Sequence, residues 1–205
     1  MPGPKDPTVD VVEKTTPFKG YFQVDQYRLR HRTYEGGFTG IMQREVFERG
    51  HAAAVVLYDA DLDQLVMIEQ FRVGAHAAGW HPWMWEIVAG IIEDGETAEE
   101  VIRREVVEEA NCPVQALEPL ISFLVTPGGS SESIALFCGQ VDSATVGGVH
   151  GLAEEHEDIR VTAIGVEDVF TMLDAGEIIN ATALIGILLF RARHAEFREK
   201  WRRQP

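Results

Sequence analysis

The chain has 205 residues, a formal net charge of −15 and an apolar share of 45%. That length fits one large domain, or a domain with a small appendage, and the apolar content suffices for a sizeable core. The acidic balance argues against a nucleic-acid polymer or an anionic membrane as the main partner.

Two cysteines, Cys112 and Cys138, stand in no metal-ligand spacing, which points to a reducing compartment and no disulfide framework. The seven histidines show no metal spacing either and read as structural. Residues 1–16 are polar and contain prolines, so they read as a tail without the apolar region of a leader. No apolar run reaches the ~18 residues of a membrane span, residues 183–190 being far too short. The expectation is a soluble, cytoplasmic protein.

Residues 21–30 alternate aromatic or aliphatic with polar side chains, Gly36 and Gly37 mark a turn, and residues 40–49 alternate again. This hairpin-like sheet is too small to stand alone and must lean on the main domain or on another subunit. The expected division is therefore a tail and small antiparallel sheet over residues 1–49, then a main domain over 50–205. In that domain, residues 52–58 and 64–70 read as strands around a polar turn, and 76–82 as a loop. Residues 84–89 read as the strand leading into a glycine loop. Strand-like runs follow at 120–125 and 134–139, then a glycine- and acid-rich loop at 146–158 and a strand at 159–164. Helices are expected at 166–175 and 180–201. The fold class is α/β (α+β), a mixed sheet with helices on its faces.

The most informative stretch is residues 90–112, GIIEDGETAEEVIRREVVEEANC. Thr97 followed by Glu100 is a capping-box signature. Val101, Ile102, Val106 and Ala110 form an apolar stripe at helical period. Glu105, Glu108 and Glu109, spaced i, i+3, i+4, leave one side of the helix next to that stripe. Exposed like charges at such spacing cost only ~0.2–0.5 kcal/mol per pair, so a solvated acidic face is cheap. Two charges ~4 Å apart in a partly shielded site repel by ~4 kcal/mol, which a bound hard cation would reverse. Spacing alone leaves both readings open.

Gly90, five residues, Glu96, seven residues, then Arg104, Glu105, Val106, Glu108 and Glu109 resembles the signature box of the Nudix hydrolases. Asn111 stands where that family has glycine, and Cys112 where it has an aliphatic residue. Asn tolerates a left-handed helix end best among non-glycine residues, and a free Cys packs as a small hydrophobe. The segments 43–51 (QREVFERGH), 68–72 (IEQFR), 85–90 (WEIVAG), 123–129 (FLVTPGG) and 150–158 (HGLAEEHED) resemble the ADP-ribose diphosphatase branch of the family.

The resemblance implies a Nudix α/β/α sandwich with a small N-terminal sheet exchanged between two subunits of a homodimer. It implies magnesium, two or three ions with manganese as a substitute, held by the Ala89 main chain, Glu105 and Glu109, with Glu108 and Glu157 assisting. Glu155 matches the general base. Tyr21, Phe22, Arg44, Arg72, Ile91, Thr126, Pro127, Gly128 and Glu132 match substrate-holding positions, Tyr21 and Phe22 stacking on adenine. Gly90, Glu96 and Arg104 brace the box. The implied reaction is ADP-ribose plus water giving AMP and ribose 5-phosphate, the metals activating water and clamping the diphosphate. Glu155, on a glycine-rich loop able to close, would take the proton. Alternatives are another nucleoside diphosphate sugar, such as GDP-mannose, or a non-catalytic ADP-ribose sensor. The retained box carboxylates weigh against the sensor.

Overall fold

The computed structural model describes residues 7–152 and 156–202. Its contacts divide the chain into a small unit, Met1–Gly50 with Leu124–Glu132, and a large one, His51–Phe123 with Ser133–Pro205.

The small unit is a three-stranded antiparallel sheet in the order β1 (Val9–Lys19), β2 (Gln23–His31), β3 (Met42–Glu48). The hairpin expected from the alternation is present as β2 and β3, in register from Gln23↔Glu48 to Leu29↔Met42. Gly36 and Gly37, both at positive φ, lie in the connection between them. The third strand is a difference: β1 occupies residues read from sequence as a tail. Its register shifts between Val11 and Glu13 and again between Thr15 and Phe18. Each bulge resets which face a side chain takes, so no run of period two survives in the sequence. Residues 124–132 join this unit by donating the Ser130 hydroxyl to the Phe47 carbonyl at 2.9 Å. In turn, the Gly129 carbonyl accepts the Phe47 N–H at 2.8 Å.

The large unit is built on β4 (His51–Asp59), an almost wholly buried strand with the continuous apolar run of a sheet covered on both sides. It is followed by β5 (Gln64–Phe71), the short α1 (Val73–Ala77), β6 (Trp83–Glu86), β7 (Val88–Ile92) and α2 (Ala98–Ala110). After these come β8 (Ala116–Leu124), β9 (Ser133–Gln140), β10 (Gly148–His150), β11 (Ile159–Gly165), α3 (Val166–Asp174) and α4 (Ala181–Trp201). The eight-stranded sheet runs β10-β11-β5-β4-β9-β8, with β6 on β5 and β7 on β4. It is mixed, since β4 runs parallel to β9 and antiparallel to β5 and β7.

β4 and β5 pair only at Leu57–Asp59, then part. Into the opening, β6 follows the free end of β5 from Phe71↔Trp83 to Ile68↔Glu86. β7 follows β4 from Val55↔Val88 to His51↔Ile92. What reads in sequence as one strand over 84–89 is therefore two, and the chain changes partner at Ile87. The expected loop at 76–82 begins with the last turn of α1, and the loop at 146–158 contains the short β10.

One face of β4, through Ala53, Val55 and Leu57, packs with Val101, Ile102, Val106 and Ala110 of α2. On the other, Val56 meets α4 so closely that a Cβ on Gly186 would lie 3.0 Å from it. Tyr58 packs its ring at a tilt against Phe190 of α4, 4.8 Å between ring centroids. The sheet is thus enclosed between helices, a sandwich with its core on both sides.

Candidate active site

The site begins where β7 ends. Glu96 closes the loop after it, its backbone N–H reaching the Glu93 carbonyl at 3.1 Å and its carboxylate accepting the Glu93 N–H at 3.1 Å. Thr97 then caps α2 as the sequence predicts. Its hydroxyl accepts the Glu100 N–H at 3.3 Å, and the Glu100 carboxylate accepts the Thr97 N–H at 2.8 Å. At the far end Asn111 adopts the left-handed conformation with φ 46°, and Cys112 is buried in the core. Both substitutions in the motif are absorbed without disturbing the helix that precedes them.

That helix lays its carboxylates along β7. A Cβ on Gly90 would overlap the Glu105 carboxylate, so this close approach requires glycine. One turn on, Glu109 is buried, and its carboxylate accepts the Ala89 N–H at 3.3 Å. Burial, aided by repulsion from Glu105 and Glu157, pushes the Glu109 carboxyl up to about 8, against the pull of the Ala89 N–H and Arg72. Glu105 is also raised, mainly by burial, although Arg104 draws it down. Arg104 straps the outer edge, meeting Glu105 at 2.8 Å, Glu108 at 3.2 Å and Glu96 at 3.4 Å.

Arg72 is fastened on the neighbouring strand pair. Its Nε–H and one Nη2–H fork onto Glu86 at 3.0 and 2.8 Å. Burial opposes its charged form, but Glu86 outweighs this and Glu109 and Glu157 add to it, so its pKa lies above the ordinary value. Glu157 is half-buried and accepts the Leu152 N–H at 3.0 Å. Glu155 lies outside the described residues. Among the described residues, no three His, Cys, Asp or Glu side chains already surround one point. Here the Glu105 carboxylate is turned onto Arg104, as unneutralised neighbouring acids favour.

Ala89, Gly90, Ile91, Arg72, Glu96, Arg104, Glu105, Glu108, Glu109 and Glu157 all belong to the large unit. The remaining predicted residues that the structure describes lie in the small one. Tyr21 is 88% exposed and meets Phe22 edge-on at 4.8 Å; Phe22 meets Phe47 at 5.0 Å. Arg49 sits 5.8 Å from the Phe22 ring and 3.3 Å from the buried Glu132. Arg44, opposite Tyr27, turns back onto the Gln43 carbonyl at 2.8 Å. Thr126 accepts two backbone N–H groups, from Gly129 and Ser130, to form the turn that includes Pro127 and Gly128. Sequence reasoning missed Glu86, Asn180 and Arg49. Glu86 had a signal, a carboxylate in the apolar run WMWEIV, where an unpaired charge would be costly.

The NUDIX domain family model matches residues 48–182. The chain belongs to the Nudix family. This Nudix chain is 41% identical over 193 residues to the ADP-ribose pyrophosphatase of Escherichia coli strain K12, spanning 94% of this chain and 92% of that protein. To the ADP-ribose pyrophosphatase of Haemophilus influenzae it is 36% identical over 201 residues, covering 95% and 91%. A GDP-mannose pyrophosphatase from Enterobacter sp. is 34% identical over 163 residues, covering 77% of this chain and 84% of that one. Among solved structures, an ADP compounds hydrolase superposes with a TM-score of 0.69 over 93% of this Nudix chain and 97% of its own, at 18% identity. That last likeness is one of fold.

Proposed function

We propose that this Nudix protein hydrolyses ADP-ribose to AMP and ribose 5-phosphate. The observation that carries the reading is the Glu105 carboxylate seated against Gly90, one turn from the buried Glu109, in a chain like the ADP-ribose pyrophosphatases along nearly its whole length. The donors fit a hard divalent cation. Among the described residues Glu109 has only the Ala89 N–H as hydrogen-bond partner, and it is raised by burial and by its acidic neighbours, a cost that a cation would remove. Glu105, Glu109 and the Ala89 carbonyl would hold Mg²⁺ or Mn²⁺, with Glu108 and Glu157 assisting. Bound there, the metal supplies positive charge against the diphosphate oxyanions and makes water more acidic.

The chain's own groups supply the rest. Arg72 offers its outer N–H groups to a phosphate oxygen, a geometry that guanidinium matches well. Glu155 takes the proton from the attacking water. Tyr21 and Phe22 stack on adenine, while Arg44, Glu132 and the 126–128 turn hold polar groups of the substrate, and Ile91 is a further substrate contact. The working form is a cytoplasmic homodimer.

The test is release of AMP from ADP-ribose by purified protein with and without Mg²⁺. Glu155→Gln should bind ADP-ribose nearly as well while turnover drops at least ~10²-fold; undiminished turnover would assign the base elsewhere. The GDP-mannose pyrophosphatase among the relatives supports a second substrate reading. Mannose 1-phosphate released from GDP-mannose, with ADP-ribose left intact, would replace the first.

A further inference from the structure

Glu86 belongs to none of the roles above, yet its buried carboxylate accepts hydrogen bonds from three side chains, two of those bonds from Arg72. Its side chain is 5% exposed. Oε1 accepts Arg72 Nε–H at 3.0 Å and Asn180 Nδ2–H at 3.0 Å. Oε2 accepts Arg72 Nη2–H at 2.8 Å and Gln70 Nε2–H at 3.5 Å. Gln70 is itself 7% exposed. Asn180 caps α4, its Oδ1 accepting the Ala183 N–H at 3.0 Å, so the amide that fixes Glu86 is itself fixed by a helix terminus. The Arg72 main chain is also held, its N–H donating to Pro82 at 2.7 Å and its carbonyl accepting from His76 at 3.2 Å.

We infer that Glu86 is a positioning residue, holding one edge of the Arg72 guanidinium so that its other edge stays presented to an anionic oxygen of the substrate diphosphate. The inference rests on the diphosphate-hydrolase reading above. Of the five guanidinium N–H groups, Nε–H and one Nη2–H are spent on Glu86. The Nη1 pair and the second Nη2–H have no partner among the described residues. Arg72 also lies within the field of Glu109 and Glu157. A long, flexible cation beside those acids would otherwise fold onto them, withdrawing from the phosphate and competing with any cation there. A buried, bidentate partner removes that choice. Glu86 thus keeps the arginine off the acids as well as aiming it.

The test is a double-mutant cycle with Glu86→Gln, Arg72→Ala and the pair, in the full chain with Mg²⁺. Glu86→Gln should lower kcat/KM for ADP-ribose by roughly 10–100-fold, mostly in KM, because a misaimed group is felt when substrate binds. In the Arg72→Ala background the same change should cost almost nothing further. Thermal unfolding is followed in parallel, and a purely structural role would shift Tm and lower activity by the same factor in both backgrounds. That additive result would overturn the inference. Should the wild-type protein release no AMP from ADP-ribose, the substrate reading fails by itself. The cycle is then read by calorimetry with inorganic pyrophosphate, where Glu86→Gln must weaken binding only while Arg72 is present. Equal weakening in both backgrounds, or none in either, would again overturn it.

Discussion

Glu109 couples protonation to stability with a sign opposite to that of an ordinary paired carboxylate. Its folded pKa of about 8 lies above the ordinary value of 4.5, so between these pH values the folded state holds a proton that the unfolded state has released. Metal-free protein is therefore most stable, as far as this group counts, below about pH 4.5. It loses that contribution as pH rises through 8, by on the order of 5 kcal/mol from the pKa difference. Glu105, also raised, adds in the same direction. Unfolding followed in EDTA should show Tm falling from pH 5 to pH 8, and Glu109→Gln should flatten most of that slope. Mg²⁺ at pH 8 should restore stability in the wild type and do little in the variant; an unchanged slope in Glu109→Gln would place the titration elsewhere. The residues concerned could be named from spacing alone, because i, i+3, i+4 puts them on one side of a helix. Which of them is buried could not. That depends on β7 passing beneath Glu109 and on the one glycine that admits Glu105.

At the scale of elements, α2 was fully readable because everything that defines it is local. The capping box, the apolar stripe and the left-handed terminus all lie within 97–111, and each is present in the structure. Thr97→Ala should accordingly cost about 1 kcal/mol in denaturant unfolding, and a loss near zero would mean that packing alone fixes the helix start. Gly90→Ala acts between elements, since its methyl group must displace Glu105. Turnover should fall more than ~10-fold with only a modest change in Tm. Adding Glu105→Ala to it should then cost little more, whereas additive losses would separate the two residues. β1 and the β6–β7 break were hidden for the opposite reason. Two bulges scramble the alternation of β1, and Ile87 marks a change of partner that only the parting of β4 from β5 explains. The link from Phe22 through Arg49 to Glu132 was equally hidden, because only the docking of 124–132 on β3 brings these residues together.

For the whole molecule, the small unit poses the largest question of stability. A three-stranded sheet buries little by itself, and here Val9, Val11, Val12, Phe18, Phe38 and Ile41 are all exposed. The sheet register puts Val11, Leu29 and Met42 in one cross-strand row, and Arg44 follows on the same face as Met42. Next on that face, Asp25 is wholly buried beside Lys14 at 2.6 Å, with Thr16 and Gln23 donating to its other oxygen. Lys14, then the Thr16 and Gln23 hydrogen bonds, hold the Asp25 carboxyl below its ordinary range against the cost of burial. The face is therefore ordered and apolar at one end, and exchange with a second copy would cover it. Light scattering should give twice the mass of the 22.8 kDa chain. If that row is the contact between two copies, Leu29→Glu would bring two carboxylates together there and should shift the protein to monomer. If Arg44 serves a site completed by the second copy, the same variant should lose ADP-ribose hydrolysis. A Leu29→Glu monomer with full activity would show that each chain works alone, and a wild-type monomer would remove the exchange altogether.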